Sequence, residues 1–216
     1  SMKKMALAML DDGSITTTAS ALTQILRLHQ ICCGHIKSDD GKLVEIKSNR
    51  MNVLLDCIEE CSGKIIIWAN YTYDIESIVK KLSEKFGGGC AAGFYGATSN
   101  EDRVKIVENF QDPKSDLLFF VGQPRTGGYG LTLTQASNVI YYSNNYDLEV
   151  RLQSEDRAHR IGQTKSVNYI DLISQFPYIP RERVIDTIDQ KIVEALKDKI
   201  DIASKVLGEE LRKWLI

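Results

Sequence analysis

The sequence predicts an α/β protein: an open, mostly parallel central sheet with helices on both faces, preceded by N-terminal helices and followed by one long C-terminal helix. Three observations carry that expectation. Short, continuous apolar runs, led by Lys64-Ile65-Ile66-Ile67-Trp68-Ala69, suit strands that are covered on both faces. Longer helical patterns alternate with those runs, as βαβ units require. Breakers such as Gly87-Gly88-Gly89 punctuate the joints.

Each element follows in chain order. Residues 16–33 read as a helix, with Thr16, Thr17 and Thr18 as caps and an apolar stripe of Leu22, Ile25, Leu26, Leu28 and Ile31. Gly34 stops it, and Ser38-Asp39-Asp40-Gly41 reads as a polar loop. Ser48 or Asn49 caps a second helix to about Cys61, with Met51, Leu54, Leu55 and Ile58 inside. The first strand of the sheet is Lys64 to Ala69, and a helix follows from Asp74 to Phe86. Cys90 to Tyr95 is the second strand. Ser99 caps the next helix, to Phe110, with Asp102 where a capping box prefers Glu or Gln. Asp116 to Val121, Asn138 to Tyr142 and Val167 to Ile173 are the remaining strands, and Asp147 to Arg160 is helical. Gln175 to Arg181 reads as an irregular insert, and Thr187 to Leu207 as the long helix, with Gly208 interrupting it and Trp214 anchoring the tail. Three segments result: 1–62, a helical lead-in; 63–174, the core; and 175–216, the insert and helical extension. Ser1-Met2 reads as a cleavage scar before an expressed fragment.

Composition narrows the function classes. With 216 residues, 43% hydrophobic and 26% charged, the chain can bury a full core. A formal charge of −2 excludes a polybasic binder; nucleic acid would be met by a local groove rather than by the overall field. No apolar run is long enough to span a membrane. The five cysteines follow no secreted-domain spacing and imply a reducing, intracellular compartment. His29, Cys32, Cys33 and His35 lack a second Cys-x-x-Cys knuckle, so a metal site is not expected.

In a parallel sheet of this kind, ligands bind outside the carboxyl ends of the strands. Asn70-Tyr71-Thr72-Tyr73, Tyr95-Gly96-Ala97-Thr98-Ser99 and Gly122 to Leu133 fall there. The last holds Gly127, Gly128 and Gly130, which let backbone approach a ligand closely, but no Gly-Lys-Ser/Thr follows, so it is not a Walker A loop. The densest chemistry lies in Gln153 to Gln163. If that stretch is helical, Arg157 and Arg160 share one face and repel unless an anion lies before them. A polyphosphate suits two planar guanidinium forks. The blander reading pairs the arginines with Glu155 and Asp156 on a solvated face, and at this point both stand.

The ordered set Arg27-Leu28-His29-Gln30-Ile31-Cys32-Cys33, Lys64 to Tyr71, Tyr95-Gly96-Ala97-Thr98, Gly127 to Leu133 and Gln153 to Gln163 resembles the second RecA-like lobe of a Swi/Snf-type DNA-dependent ATPase of helicase superfamily two. The string Asp156-Arg157-Ala158-His159-Arg160-Ile161-Gly162-Gln163 is its most specific part. The resemblance implies that Arg157 and Arg160 are paired arginine fingers reaching the γ-phosphate of ATP, and that Gln153 and Asp156 orient them. Gly128 and Gly130 would couple the nucleotide cleft to the DNA track. Tyr71, Thr72, Thr98, Arg125, Gly127 and Thr132 would contact strand phosphates. ATP and magnesium would be held mainly by a first lobe, which is the implied partner together with double-stranded DNA. The helix carrying the arginines is expected beside the ligand edge of the sheet, and this chain alone is expected to be inactive. Plainer readings make Thr72 and Thr98 helix caps, His159 a packing residue and Trp68 core, with Tyr141 and Tyr142 alternating between core and surface. A strand-separating helicase lobe and a motor-dead binding module are the alternatives. The family's Asp-x-x-Trp-Asn-Pro-like stretch is replaced here by Ser143-Asn144-Asn145-Tyr146-Asp147-Leu148, which marks a divergent branch.

Overall fold

The computed structural model describes residues 7–9, 15–17, 21–126, 130–175 and 186–207. Strands β1 (Leu7–Met9) and β2 (Ile15–Thr17) form an antiparallel pair. Helix α1 (Ala21–Cys33) leads to a second antiparallel pair, β3 (His35–Lys37) and β4 (Leu43–Glu45), followed by α2 (Arg50–Glu60). The body then alternates: β5 (Lys64–Trp68), α3 (Thr72–Phe86), β6 (Ala91–Phe94), α4 (Asn100–Gln111), β7 (Phe119–Gly122), β8 (Ala136–Tyr141), α5 (Leu148–Glu155) and β9 (Asn168–Asp171). Helix α6 (Ile188–Leu207) follows.

Five strands form one parallel sheet in the order β6-β7-β5-β8-β9. The central strand β5 is buried at every position, which is why its sequence is an unbroken apolar run rather than an alternation. Its side chains still alternate in space. Ile65 and Ile67 face Leu54, Leu55 and Ile58 of α2 and Ile75, Ile78 and Leu82 of α3. Ile66 and Trp68 face the other way, onto Phe110 of α4, Phe120, Val139, Leu133 and Ala158. Each such aliphatic side chain, fully buried, contributes about 1.5–3 kcal/mol, so two facing clusters hold helices on both sides of the sheet. Lys64, at the head of β5, is buried too; its ammonium donates to Asn109 O (3.1 Å) and Asp112 O (2.7 Å), which closes the end of α4 onto the sheet.

Several expectations need correction. Thr16 and Thr17 lie in β2, so they do not cap α1, which starts at Ala21. The α1 stripe is not core: Leu22, Ile25, Leu26, Leu28 and Ile31 are exposed, because α1 packs on β3 and α6 and not on the large sheet. Asn49 occupies the α2 N-cap but its Oδ1 accepts from the Asn52 side chain (2.8 Å) rather than from a backbone N–H of the first turn, while the Ser48 hydroxyl accepts from Arg50 N at 3.2 Å. Tyr141 and Tyr142 do not alternate between core and surface; both are buried, one in each cluster. Most consequential, α5 ends at Glu155 rather than Arg160. The insert residues 176–185 and the tail from Gly208, with Trp214, lie outside the described residues.

Candidate nucleotide and nucleic-acid site

The arginine pair sits on a turn. Ala158 N and His159 N both donate to Glu155 O at 3.1 Å, which tightens the chain as α5 ends, and Arg157 O is taken by Leu133 N at 2.9 Å. With its carbonyl spent on a tertiary partner, Arg157 cannot carry the helical ladder onward. Gln163 fastens the far side of the turn. Its amide donates to Thr134 O (2.9 Å), Ala136 O (2.9 Å) and Ala158 O (3.1 Å), while its oxygen accepts from Lys165 N (3.0 Å).

This geometry revises where the arginines lie. Asp147 caps the start of α5 at the carboxyl edge of the sheet, accepting from Val150 N at 3.3 Å. The helix then runs away from that edge for eight residues, about 12 Å at the α-helical rise. The arginine turn is tied to residues 131–136, which enter β8 at its amino end. Only the first turn of α5 therefore lies at the ligand edge.

Arg160 is exposed and aims at the segment leaving the glycine loop: Nη1 donates to Gly130 O (3.1 Å), Leu131 O (3.4 Å) and Thr132 Oγ1 (3.1 Å). Gly130 holds a φ of +103°, a backbone that a side chain would strain. Arg157 is half-buried. Burial and the adjacent Arg160 charge press its pKa below the usual guanidinium range, against the pull of Asp156. The solvated ion-pair reading is not what the side chains do: Glu155 turns to Arg151, at 2.5 Å. Gln153 donates to Glu149 on its own helix (2.9 Å), and Asp156 is the exposed C-cap of α5. Gly127 and Gly128 lie outside the described residues.

A second group of candidates gathers at the carboxyl edge, on the loops after the neighbouring strands β6, β7 and β5. Arg125 is exposed and paired with Asp147 at 2.8 Å. Thr72 is exposed at the first position of α3, whose N-cap is Tyr71. The Tyr71 hydroxyl is turned inward to His29 Nδ1 (2.9 Å). The Thr98 hydroxyl is occupied as well, donating to Gly93 O and accepting from Tyr95 N, both at 3.1 Å; Ser99, not Thr98, caps α4. Thr98 thus fills the open edge of β6 as a neighbouring strand would. Thr132 belongs with the arginine turn and not with this group.

Sequence reasoning missed the side chains that hold these loops. Gln123 Nε2 donates to Asn70 O (2.9 Å), and Asn70 bonds Ser143 through its amide N (2.9 Å) and its side chain (3.1 Å). Arg103 donates to Thr98 O and Tyr95 O, both at 3.0 Å. Buried Arg50 bonds Cys32 O, Tyr142 O, Leu172 O, Ser174 and Asp189. The partners of Gln123, Asn70 and Arg50 are far away in sequence, and those of Arg103 lie five and eight residues back across a loop, so no helical or strand period announces them. All five cysteines are free, and among the described residues no group of three or more His, Cys, Asp or Glu could hold a metal ion. No helix among them is long and apolar enough to cross a membrane.

Comparison with known proteins agrees with this architecture. Residues 49–162, just over half the chain, match the family model described as the helicase conserved C-terminal domain. The human SWI/SNF-related matrix-associated actin-dependent regulator of chromatin subfamily A member 1 is 30% identical over 175 residues, covering 81% of this chain and 15% of that protein. The ATP-dependent helicase FUN30 of Saccharomyces cerevisiae is 29% identical over 194 residues, 83% of this chain and 15% of that one. The SWI/SNF chromatin-remodeling complex subunit snf22 of Schizosaccharomyces pombe is 37% identical over 112 residues, 52% of this chain and 6% of its own length. The chain therefore spans only a small part of these relatives. Among solved structures, the Sulfolobus solfataricus SWI2/SNF2 ATPase core in complex with dsDNA superposes with a TM-score of 0.55 at 29% identity, over 71% of this chain and 32% of that one. The C-terminal part of the Fun30 ATPase domain gives a TM-score of 0.51 at 22% identity over 72% and 55%, a likeness of fold. With the five-stranded parallel sheet and the arginine turn in place, the chain belongs to the helicase conserved C-terminal domain family, as a RecA-like C-terminal lobe of the Swi/Snf type in superfamily two.

Proposed function

We propose that this chain is the C-terminal motor lobe of an ATP-dependent double-stranded DNA translocase or remodeller, and that it supplies Arg157 and Arg160 to a nucleotide held by another lobe of the same protein. The observation that carries the reading is the arginine pair itself. Two guanidiniums lie close enough for one to depress the other's pKa, the adjacent Glu155 is committed to Arg151, and backbone carbonyls orient Arg160. Such a pair suits the oxygens of a polyphosphate. ATP bound with magnesium in the other lobe supplies the phosphoryl group to be transferred. The residues of this chain meet the charge that develops on it, and one such arginine is worth ~10³-fold or more in rate.

The remaining residues take supporting roles in this reading. Gln163, Thr132 and the carbonyls of Gly130 and Leu131 hold the turn and aim Arg160. Gln153 and Asp156 orient the pair, and Gly128 and Gly130 couple the nucleotide cleft to the DNA track, roles that rest on the family's motif. At the carboxyl edge Thr72 and Arg125, both exposed, are the foremost DNA contacts, with the backbone of the Tyr71 and Thr98 loops beside them; Gly127 takes the same role from the family's motif alone. Phosphate tracking needs placed donors rather than base readout. The Sulfolobus core, a structural relative, is in complex with dsDNA, and FUN30 is named an ATP-dependent helicase; both support the reading. Arginine fingers without a nucleotide cradle are half an active site. The purified 216-residue chain should therefore turn over ATP no faster than background when double-stranded DNA is added. Robust DNA-stimulated hydrolysis by the chain alone would overturn the reading.

A further inference from the structure

Helix α5 is fastened from beneath by a side chain that no motif points to. Arg151 is largely buried, with 12% of its side chain exposed. Its guanidinium makes an ion pair with Glu155 Oε1 at 2.5 Å, another with Asp171 Oδ1 at 2.5 Å, and a hydrogen bond to Asn144 Oδ1 at 2.8 Å. It also lies 3.5 Å from the centroid of the buried Tyr141 ring, whose hydroxyl is 2.7 Å from Ser154 Oγ on α5. Asn144 and Asp171 bond each other at 2.7 Å at the carboxyl ends of β8 and β9, so Arg151 is anchored to the rigid sheet. Its other partner, Glu155, is the hub of the arginine turn: the Glu155 carbonyl accepts from Ala158 N, His159 N and the Tyr169 hydroxyl.

We propose that Arg151 is the positioning residue of the arginine turn: by clamping Glu155 to Asp171 and Asn144, it fixes where Arg157 and Arg160 present their guanidiniums. This rests on the arginine-finger reading above. The clamp needs a planar fork with donors in several directions at once, which a lysine does not provide. It matters because a reacting group displaced by about 1 Å can cost ~10²-fold in rate.

The test uses the full-length protein with double-stranded DNA and compares affinity for ADP with affinity for ADP plus aluminium fluoride, a mimic of the phosphoryl group in transfer. Arg151→Ala should weaken binding of the mimic by about tenfold or more while ADP affinity stays within about twofold, and kcat should fall with KM for ATP unchanged. Arg151→Lys keeps a charge for one carboxylate; it should melt close to wild type and still lose affinity for the mimic. If Arg151→Ala does not fold, the lysine variant decides alone. A folded variant that binds the mimic as wild type does, or one that loses ADP and mimic equally, overturns the proposal. Arg160→Ala serves as the benchmark. If it leaves the mimic's affinity unchanged, the arginine-finger reading fails and this inference falls with it. If it weakens the mimic while the Arg151 variants do not, only the positioning role fails.

Discussion

His29 is buried between Tyr71 and Asp189, and burial, the Arg50 charge and nearby His35 press its pKa down to about 4. Asp189 does not reverse this, although one of its oxygens lies 3.8 Å from His29 Nε2, because its charge is already met by Arg50. A depressed histidine binds its proton more readily in the unfolded chain, where the value is about 6.5. The stability tied to neutral His29 is therefore whole above about pH 6.5 and is lost as pH falls toward 4, at up to ~1.4 kcal/mol per unit. Buried Asp74 and half-buried Glu155, whose carboxyls are pushed upward, oppose this trend, so the useful quantity is a difference. The advantage of wild type over His29→Asn in urea unfolding should shrink by roughly 3 kcal/mol from pH 6.5 to 4; a flat difference would show that His29 does not titrate as argued. At this scale the sequence reveals types better than duties. Arg157 and Arg160 stand out by their string, but that Gly130, Leu131 and Thr132 receive Arg160 depends on a contact across about thirty residues, which no local pattern contains. Thr98 and Tyr71 look like free hydroxyls until the fold gives each a partner.

Among the elements, β5 and β7 were legible because burial on both faces leaves an uninterrupted apolar run. The three-residue strands β1 to β4 were not, since so short a segment shows no period. The end of α5 was missed for a different reason: its pattern continues, but Leu133 and Gln163 capture the carbonyls of Arg157 and Ala158 from outside the helix. The attachment of α6 was equally hidden. Arg50 at the start of α2 and Asp189 at the start of α6 form a buried pair, with 3% and 4% of their side chains exposed, and Thr187 Oγ1 closes on Ser174 O at 2.6 Å. Removing one partner strands the other's charge in the interior, which costs about 3–5 kcal/mol. Arg50→Met should lower unfolding free energy by that order, and adding Asp189→Leu should restore a good part of it. A second substitution that only adds to the loss would show that the pair is not what docks α6.

For the whole molecule, the parallel sheet divides two apolar clusters, one under α2 and α3 and one under α4. That division places two candidate regions differently: the Thr72 and Arg125 loops at the carboxyl edge, and the arginine turn at the far end of α5, tied toward the start of β8. Helix α5 spans between them, capped by Asp147, which also pairs with Arg125, and ending at Glu155, which holds the turn. On the function proposed above, such a lobe would turn one edge to DNA and the arginine turn to phosphate, with one short helix joining them. The central claim is that the turn acts on phosphoryl transfer and not on nucleotide capture. The most direct measurement is Arg160→Ala in the full-length protein, with ATP binding and DNA-stimulated hydrolysis followed side by side. Hydrolysis should fall by ~10³-fold or more while ATP affinity changes by no more than a few-fold; loss of binding in step with hydrolysis, or hydrolysis left intact, would contradict it.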